Sequence, residues 1–204
     1  MLSRRATRVV RDFTRDSRRW GSYKPRAGDV IIATAPKVGT TSMQQIVSLL
    51  IFQSPESRPL GRTSPWIDCR FRGPIELMLN SIEAQPHRRF LKSHLPLDAL
   101  PIYDEVKYVH VARDGRDACM SLLNHYSSFS QEALEEFDKI GLSDETIKRP
   151  FPRTPKSEPE FFLYWIAGRE DETASPMSDN FLSLERSFWN ERRRPNLLQS
   201  TTTT

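Results

Sequence analysis

Short apolar, β-branched runs alternate along the chain with stretches in which apolar residues recur at helical spacing. The first run, Asp29–Ala35, has the composition of a buried parallel strand, and helical spacing follows from Thr41 to Phe52. Further strands are predicted at Arg88–His94 and Lys107–Arg113, the second leading into a helix that begins near Ala118. This alternation predicts an α/β fold with a largely parallel sheet flanked by helices.

The remaining segments complete the predicted order of elements. Additional helices are predicted at Pro74–Gln85, Gln131–Ile140, Phe161–Gly168 and about Asp179–Arg193. The proline- and serine-rich segment Ser54–Pro65 indicates a loop. Pro195–Leu198 has the pattern of the start of one more strand.

Composition divides the chain into one core domain with two short flanks. At 204 residues a single domain is expected, and the net charge of +4 favours an anionic partner. Residues 1–20 hold seven arginines and predict a solvated, partly helical basic arm, with the domain at 21–198 and an unstructured tail at 199–204. Apart from Phe13 and Trp20 the arm lacks stacking aromatics, which argues against nucleic-acid binding.

Hydropathy and cysteine content predict a cytoplasmic protein that does not bind membranes. No apolar run approaches the length of a membrane span, and the first residues lack the apolar stretch of a secretory signal. Cys69 and Cys119 are the only cysteines, and in such a chain they are expected to be reduced.

The segment PKVGTT, between the first strand and its helix, has the features of an anion-binding loop. Helix N-terminal N–H groups favour anions, and Gly39 permits close approach of the backbone. Thr40 and Thr41 add hydroxyl donors, and Lys37 adds a charge. An ordinary strand-to-helix turn with a solvent-exposed lysine explains this segment equally well.

The order of residues in this loop argues against a metal-dependent nucleotide kinase, which remains a distant alternative. The nucleotide-hydrolase loop places its lysine after the last glycine, whereas Lys37 precedes Gly39. The third strand ends in Arg113 and not in an acid suited to hold Mg²⁺. The sequence therefore favours anion binding without a metal.

Two more candidate groups follow the later strands. His94 lies at a strand end, where open α/β sheets bind ligands, and Lys92 lies two residues earlier on the same face. A histidine there is a candidate general base, although a lone histidine is more often structural. Arg113 ends the third strand, and Ser121 follows in the next helix; together they could hold a phosphate, with a surface salt bridge as the alternative for Arg113.

Read together, these segments resemble the sulfotransferase family that uses 3′-phosphoadenosine 5′-phosphosulfate (PAPS), in its bacterial or cytosolic form. The resemblance extends over Asp16–Leu198. Its anchors are RAGDVIIATAPKVGTTSMQQI, SPWIDCR, RRFLKSHLPLDALP, KYVHVARDGRDACMSLLNHY and SFWNERRRPNLL. It implies a three-layer fold related to P-loop kinases and sulfuryl transfer from PAPS to a hydroxyl or amine of a small acceptor.

The resemblance also implies a role for each candidate residue. Lys37 matches the residue that contacts the bridging and sulfuryl oxygens. His94 matches the catalytic base, and Lys92 matches a supporting cation. The remaining matches are Gly39, Thr40 and Thr41 for the 5′-phosphate, and Arg113 and Ser121 for the 3′-phosphate. No metal is implied.

The chain departs from the family pattern at three places. Ser42 replaces a tryptophan that stacks on adenine, and Val38 replaces a common serine. The sequence QSTTTT stands where the family continues to an Arg-Lys-Gly stretch that closes over the 3′-phosphate, so the C-terminal part of the fold is expected to be missing. A non-catalytic remnant that binds the donor weakly or not at all is therefore the main alternative to an enzyme.

Overall fold

The computed structural model describes residues 1–155, 157–167 and 181–202, which are built around a four-stranded parallel sheet. In spatial order its strands are β3 (Phe90–Ser93), β2 (Val30–Ala33), β5 (Lys107–Arg113) and β6 (Leu197–Thr202). A separate antiparallel pair joins β1 (Leu2–Arg4) to β4 (Ile102–Tyr103). The predicted parallel sheet is confirmed.

Helices follow the strands in the predicted order. They are α1 (Thr40–Phe52), α2 (Leu60–Thr63), α3 (Ile75–Glu83), α4 (Gly115–Ser127), α5 (Gln131–Ser143), α6 (Glu158–Ala167) and α7 (Phe181–Asn190). The short helix α2 lies inside the segment predicted as a loop. Parts of two predicted helices, residue 168 and residues 179–180, lie outside the described residues. Within the described ranges no helix is long and apolar enough to cross a membrane.

Alternate side chains of β2 point to opposite faces of the sheet and define three layers. Val30 and Ile32 pack in a buried cluster with Val47 of α1. Ile31 and Ala33 belong to the larger buried cluster, which includes residues of α3 and α7. The predicted α/β arrangement of helices on both sides of the sheet is therefore confirmed.

The prediction of a solvated basic arm is wrong for residues 10–20, which are mostly buried, whereas residues 1–9 are mostly exposed. Val10, Phe13 and Trp20 are buried, and so is Arg15, which pairs with Asp12. The buried apolar residues of 10–20 belong to the core clusters, and Asp12 neutralises the buried guanidinium of Arg15. Residues 10–20 therefore pack with the core.

The prediction of an unstructured tail at 199–204 is wrong as far as Thr202. Residues Leu197–Thr202 form β6, which pairs in parallel with β5 from Tyr108 to Arg113. Threonine is β-branched and favours strands, and the exposed edge of β5 offers main-chain hydrogen bonds to any extended segment beside it. Residues 203 and 204 lie outside the described part of the chain.

Candidate active site

A cleft of about 690 Å³ opens at the carboxyl ends of the parallel strands. Parallel strands place the residues that follow them at one edge of the sheet, which explains why separate sequence segments meet there. The residues that the sequence singled out all line this cleft: Lys37, Gly39, Thr40, Thr41, Lys92, His94, Arg113 and Ser121. The roles assigned to them remain predictions.

The loop between β2 and α1 has a backbone shaped for close approach to the cleft. Lys37 adopts φ 68° and Gly39 adopts φ 106°, and Gly39 is the N-cap residue of α1. Because glycine has no side chain to cap the helix, the first N–H groups of α1 are left for another acceptor. The Thr40 hydroxyl lies 2.6 Å from that of Thr34, whereas Thr41 is exposed.

His94 is held in one orientation by contacts on its ring and its main chain. Nδ1 lies 2.8 Å from the main-chain oxygen of Thr34, and because a carbonyl only accepts, Nδ1 carries the proton of the neutral ring. Nε2 has no hydrogen-bond partner among the described residues and keeps its lone pair. Burial, aided by the charge of Lys92, holds the pKa of His94 well below its usual value. The neutral ring can therefore accept a proton at Nε2.

Lys92 supplies a cation beside this imidazole. Its ammonium lies 4.7 Å from the ring centre of Trp66, and the same indole packs edge-to-face on His94 with ring centres 4.9 Å apart. Burial lowers the pKa of Lys92, while the charge of Asp68 acts in the opposite direction. Neither Lys92 nor Lys37 forms a salt bridge with a described residue, and both residues line the cleft.

Arg113 connects the end of β5 to the loop before α1. Its Nη1 donates to the main-chain oxygen of Lys37 at 3.2 Å, and its Nε lies 3.7 Å from the carboxylate of Asp117. The salt bridge considered from the sequence is therefore present, but the guanidinium also lines the cleft. Ser121 lies one to two turns into α4 and faces the same space.

Three residues behind and beside His94 had no assigned role in the sequence analysis. Arg15 donates from Nη1 to the His94 main-chain oxygen at 2.6 Å, and Asp68 accepts from the His94 main-chain N–H at 3.1 Å. Trp66 contacts the His94 ring directly. Trp66 and Asp68 could have been singled out, because both belong to SPWIDCR, one of the segments that carry the family resemblance. Nothing in the sequence distinguished Arg15 from its neighbouring arginines.

One wall of the cleft is aromatic. It is formed mainly by Trp66, Phe71, Tyr126, Phe129, Phe137 and Phe151. All six come from the segments 54–73 and 126–160, and their rings pack against one another in edge-to-face, tilted or stacked contacts. The cleft thus has a cationic side at the strand ends and an apolar side opposite.

Residues 27–182 match the family model of the sulfotransferase domain, and the chain belongs to this family. A glycolipid sulfotransferase of Mycobacterium tuberculosis is 38% identical over 164 residues, which cover 78% of this chain and 50% of the relative. Rat sulfotransferase 1A1 is 34% identical over 107 residues, which cover 48% of this chain and 36% of the relative. The chain therefore spans about half the length of the curated relatives it matches most fully.

Solved structures of low sequence identity share the fold. Mouse sulfotransferase SULT7A1 complexed with PAP superposes with a TM-score of 0.62 at 16% identity, covering 98% of this chain and 61% of that one. Retinol dehydratase in a complex with retinol and PAP superposes with a TM-score of 0.54 at 21% identity, covering 87% and 55%. These similarities support the expected sulfotransferase fold.

Proposed function

We propose that this chain carries the catalytic centre of a sulfotransferase that moves a sulfuryl group from PAPS to a hydroxyl or amine of a small acceptor. The observation that carries the proposal is the meeting of His94, Lys37 and Lys92 in one cleft with Arg113 and Ser121. An imidazole whose Nε2 has no hydrogen-bond partner among the described residues shares this cleft with two ammonium groups that form no salt bridge with them. That combination suits proton removal from an acceptor next to an anionic donor.

The donor side of the cleft fits a nucleotide that carries phosphate at both ends. The uncapped N-terminus of α1 and the unpaired Lys37 suit the 5′-phosphosulfate. Arg113 and Ser121 lie at the next strand end and suit the 3′-phosphate. When bound, PAPS supplies a sulfuryl group attached to a phosphate that departs as PAP.

The protein's own residues then have separate tasks. Nε2 of His94 accepts the proton of the acceptor, since Nδ1 is occupied by the Thr34 carbonyl. Lys37 and Lys92 balance negative charge where it increases during transfer. Because the group transferred needs no covalent attachment to the protein, positioning and electrostatic stabilisation account for the rate by analogy with phosphoryl transfer.

The aromatic wall favours an acceptor with an apolar body and one reactive polar group. Flat aromatic faces bury apolar surface and leave the hydroxyl or amine to reach His94. The relative from Mycobacterium tuberculosis is named a glycolipid sulfotransferase, and retinol, bound in one similar structure, is an apolar alcohol. We therefore propose lipid-like alcohols and glycolipids as the first acceptors to test.

The experiment is transfer of ³⁵S from labelled PAPS to a panel of such acceptors, with PAP binding measured by calorimetry on the same preparation. We expect transfer that falls about 10²–10⁴-fold in His94→Ala, while PAP binding is retained. No transfer to any acceptor, with PAP bound weakly or not at all, supports the non-catalytic remnant instead. Mg²⁺-dependent ATP binding without PAP binding supports a nucleotide kinase.

A further inference from the structure

The carboxylate of Asp68 lies behind the cleft, fully buried and without lining it. Its Oδ1 accepts from Nε1 of Trp20 at 3.1 Å. Its Oδ2 accepts from Nε1 of Trp66 at 2.6 Å and from the main-chain N–H of His94 at 3.1 Å. The Ser93 side chain is a further hydrogen-bond partner. Two indoles and the main chain of the candidate base are thus attached to one carboxylate.

The geometry favours the ionised form of this carboxylate. Burial raises the pKa of Asp68, because charge is costly in a dry interior. However, N–H donors meet both oxygens, and an ionised carboxylate accepts all of them, whereas a carboxylic acid would add an O–H proton that needs an acceptor of its own. A buried negative charge therefore lies close to the cationic side of the cleft.

Asp68 reaches both candidate catalytic side chains through Trp66. The indole that it holds contacts the ammonium of Lys92 on its face and the ring of His94 at its edge. The charged or titratable groups acting on Lys92 are Asp68, Cys69, Arg72, Lys37 and the imidazoles of His94 and His125. Asp68 is the carboxylate among these groups and acts on Lys92 as its counter-charge, while Glu136 also lines the cleft.

We propose that Asp68 is a positioning residue for the proposed transfer, fixing the Trp66 indole and the His94 main chain while its charge supports the cation of Lys92. This inference rests on the proposed function. It assigns Asp68 no contact with donor or acceptor and no proton transfer. Asp68 keeps Lys92 charged, although burial alone would disfavour that charge. It also holds the main chain of His94 in place.

The first test follows the titration of Lys92 by NMR of ¹³Cε-labelled lysine, which needs no enzymatic activity. Asp68→Asn removes the charge at nearly constant shape, and we expect the Lys92 titration to move to lower pH. Asp29→Asn is the matched control, because Asp29 is equally buried but bonds to Tyr23 and Arg89, away from the cleft. The control is expected to lower thermal stability and leave the Lys92 titration unchanged.

The second test is the pH dependence of kcat in the same variants. In Asp68→Asn we expect a kcat deficit that widens as pH rises, about tenfold for each unit by which the pKa of the required cation falls below the assay pH. The KM for PAPS is expected to change little. A uniform loss at every pH, or the same change in Asp29→Asn, overturns the proposal.

A measurement on the unaltered protein covers the case in which Asp68→Asn does not fold. The ¹³Cγ shift of Asp68 reports its ionisation directly, and an ionised carboxylate at pH 7 is expected. A protonated Asp68 at pH 7 overturns the proposal. If the unaltered chain transfers no sulfuryl group, the proposed function fails while the two NMR measurements still decide whether Asp68 is the counter-charge of Lys92.

Discussion

Arg15 donates a hydrogen bond from Nη1 to the main-chain oxygen of His94 at 2.6 Å, and its other nitrogens bind the carboxylate of Asp12. The guanidinium is 1% exposed. A residue from the N-terminal twenty therefore supports the candidate base from behind. Its charge is balanced inside the protein, which makes it part of the site's scaffold.

Arg15→Met tests this support. The substitution keeps the length of the side chain but leaves a buried carboxylate without its cation, so we expect a loss of about 3–5 kcal/mol in the free energy of unfolding. Arg18→Met is the matched control, since Arg18 pairs with Asp16 but its side chain is 59% exposed. Urea denaturation of both variants is the measurement. Equal losses in the two would contradict the buried role of Arg15.

Gly39→Ala is expected to distort the loop between β2 and α1. Gly39 adopts φ 106°, and a Cβ there would lie 2.9 Å from Cγ2 of Thr202. We expect a loss of about 1–3 kcal/mol in the free energy of unfolding together with weaker PAP binding. Gly61→Ala is the control, because a Cβ added at Gly61 would meet no atom within 4 Å. Adding Thr202→Ser removes the clashing methyl and should restore part of the loss; no restoration would show that the clash is unimportant.

Arg113→Ala tests which end of the donor Arg113 contacts. If Arg113 holds the 3′-phosphate, the variant should bind PAP roughly 10- to 100-fold more weakly, the range for one or two lost hydrogen bonds to a charged group. Binding of AMP, which lacks that phosphate, should change little. Arg116→Ala is the control, since Arg116 is exposed and pairs with Asp114. Calorimetry with PAP and with AMP is the measurement. If AMP binding weakens as much as PAP binding, Arg113 does not hold the 3′-phosphate.

The buried His94 should make the folded state sensitive to acid. Burial lowers its pKa in the folded protein, so between about pH 6.5 and that lower value the unfolded chain binds a proton that the folded chain does not. The free energy of unfolding should therefore fall as pH drops below about 6.5. Denaturation at about pH 7.5 and about pH 5 should show a smaller drop for His94→Gln than for the unaltered protein. An identical drop would mean that the pKa of His94 does not differ between the folded and unfolded states.

The sequence predicted the parts of the site that depend on local pattern. The strand, the glycine-containing loop and the helix that carry Lys37 are consecutive, and His94 and Arg113 were recognisable because each follows an apolar run. Their meeting in one cleft follows from the topology of a parallel sheet, so a correct fold prediction was sufficient to bring them together.

Contacts between distant segments could not be predicted from local pattern. The threonines of β6 resemble an unstructured end, because what makes them a strand is the free edge of β5. Likewise Arg15 is one of seven arginines in the first 20 residues, and its burial depends on its contacts with Asp12 and with the distant His94 main chain.

Thr202 donates its hydroxyl to the main-chain oxygen of Val38, 164 positions away, and Arg15 reaches His94 across 79 positions. Closing loops of that size is slow, because chain entropy must be lost before either contact forms. The loop before α1 and the support of His94 should consequently be among the last features to assemble during refolding. A nucleotide added at the start of refolding should therefore bind weakly until β6 and the segment that carries Arg15 have docked.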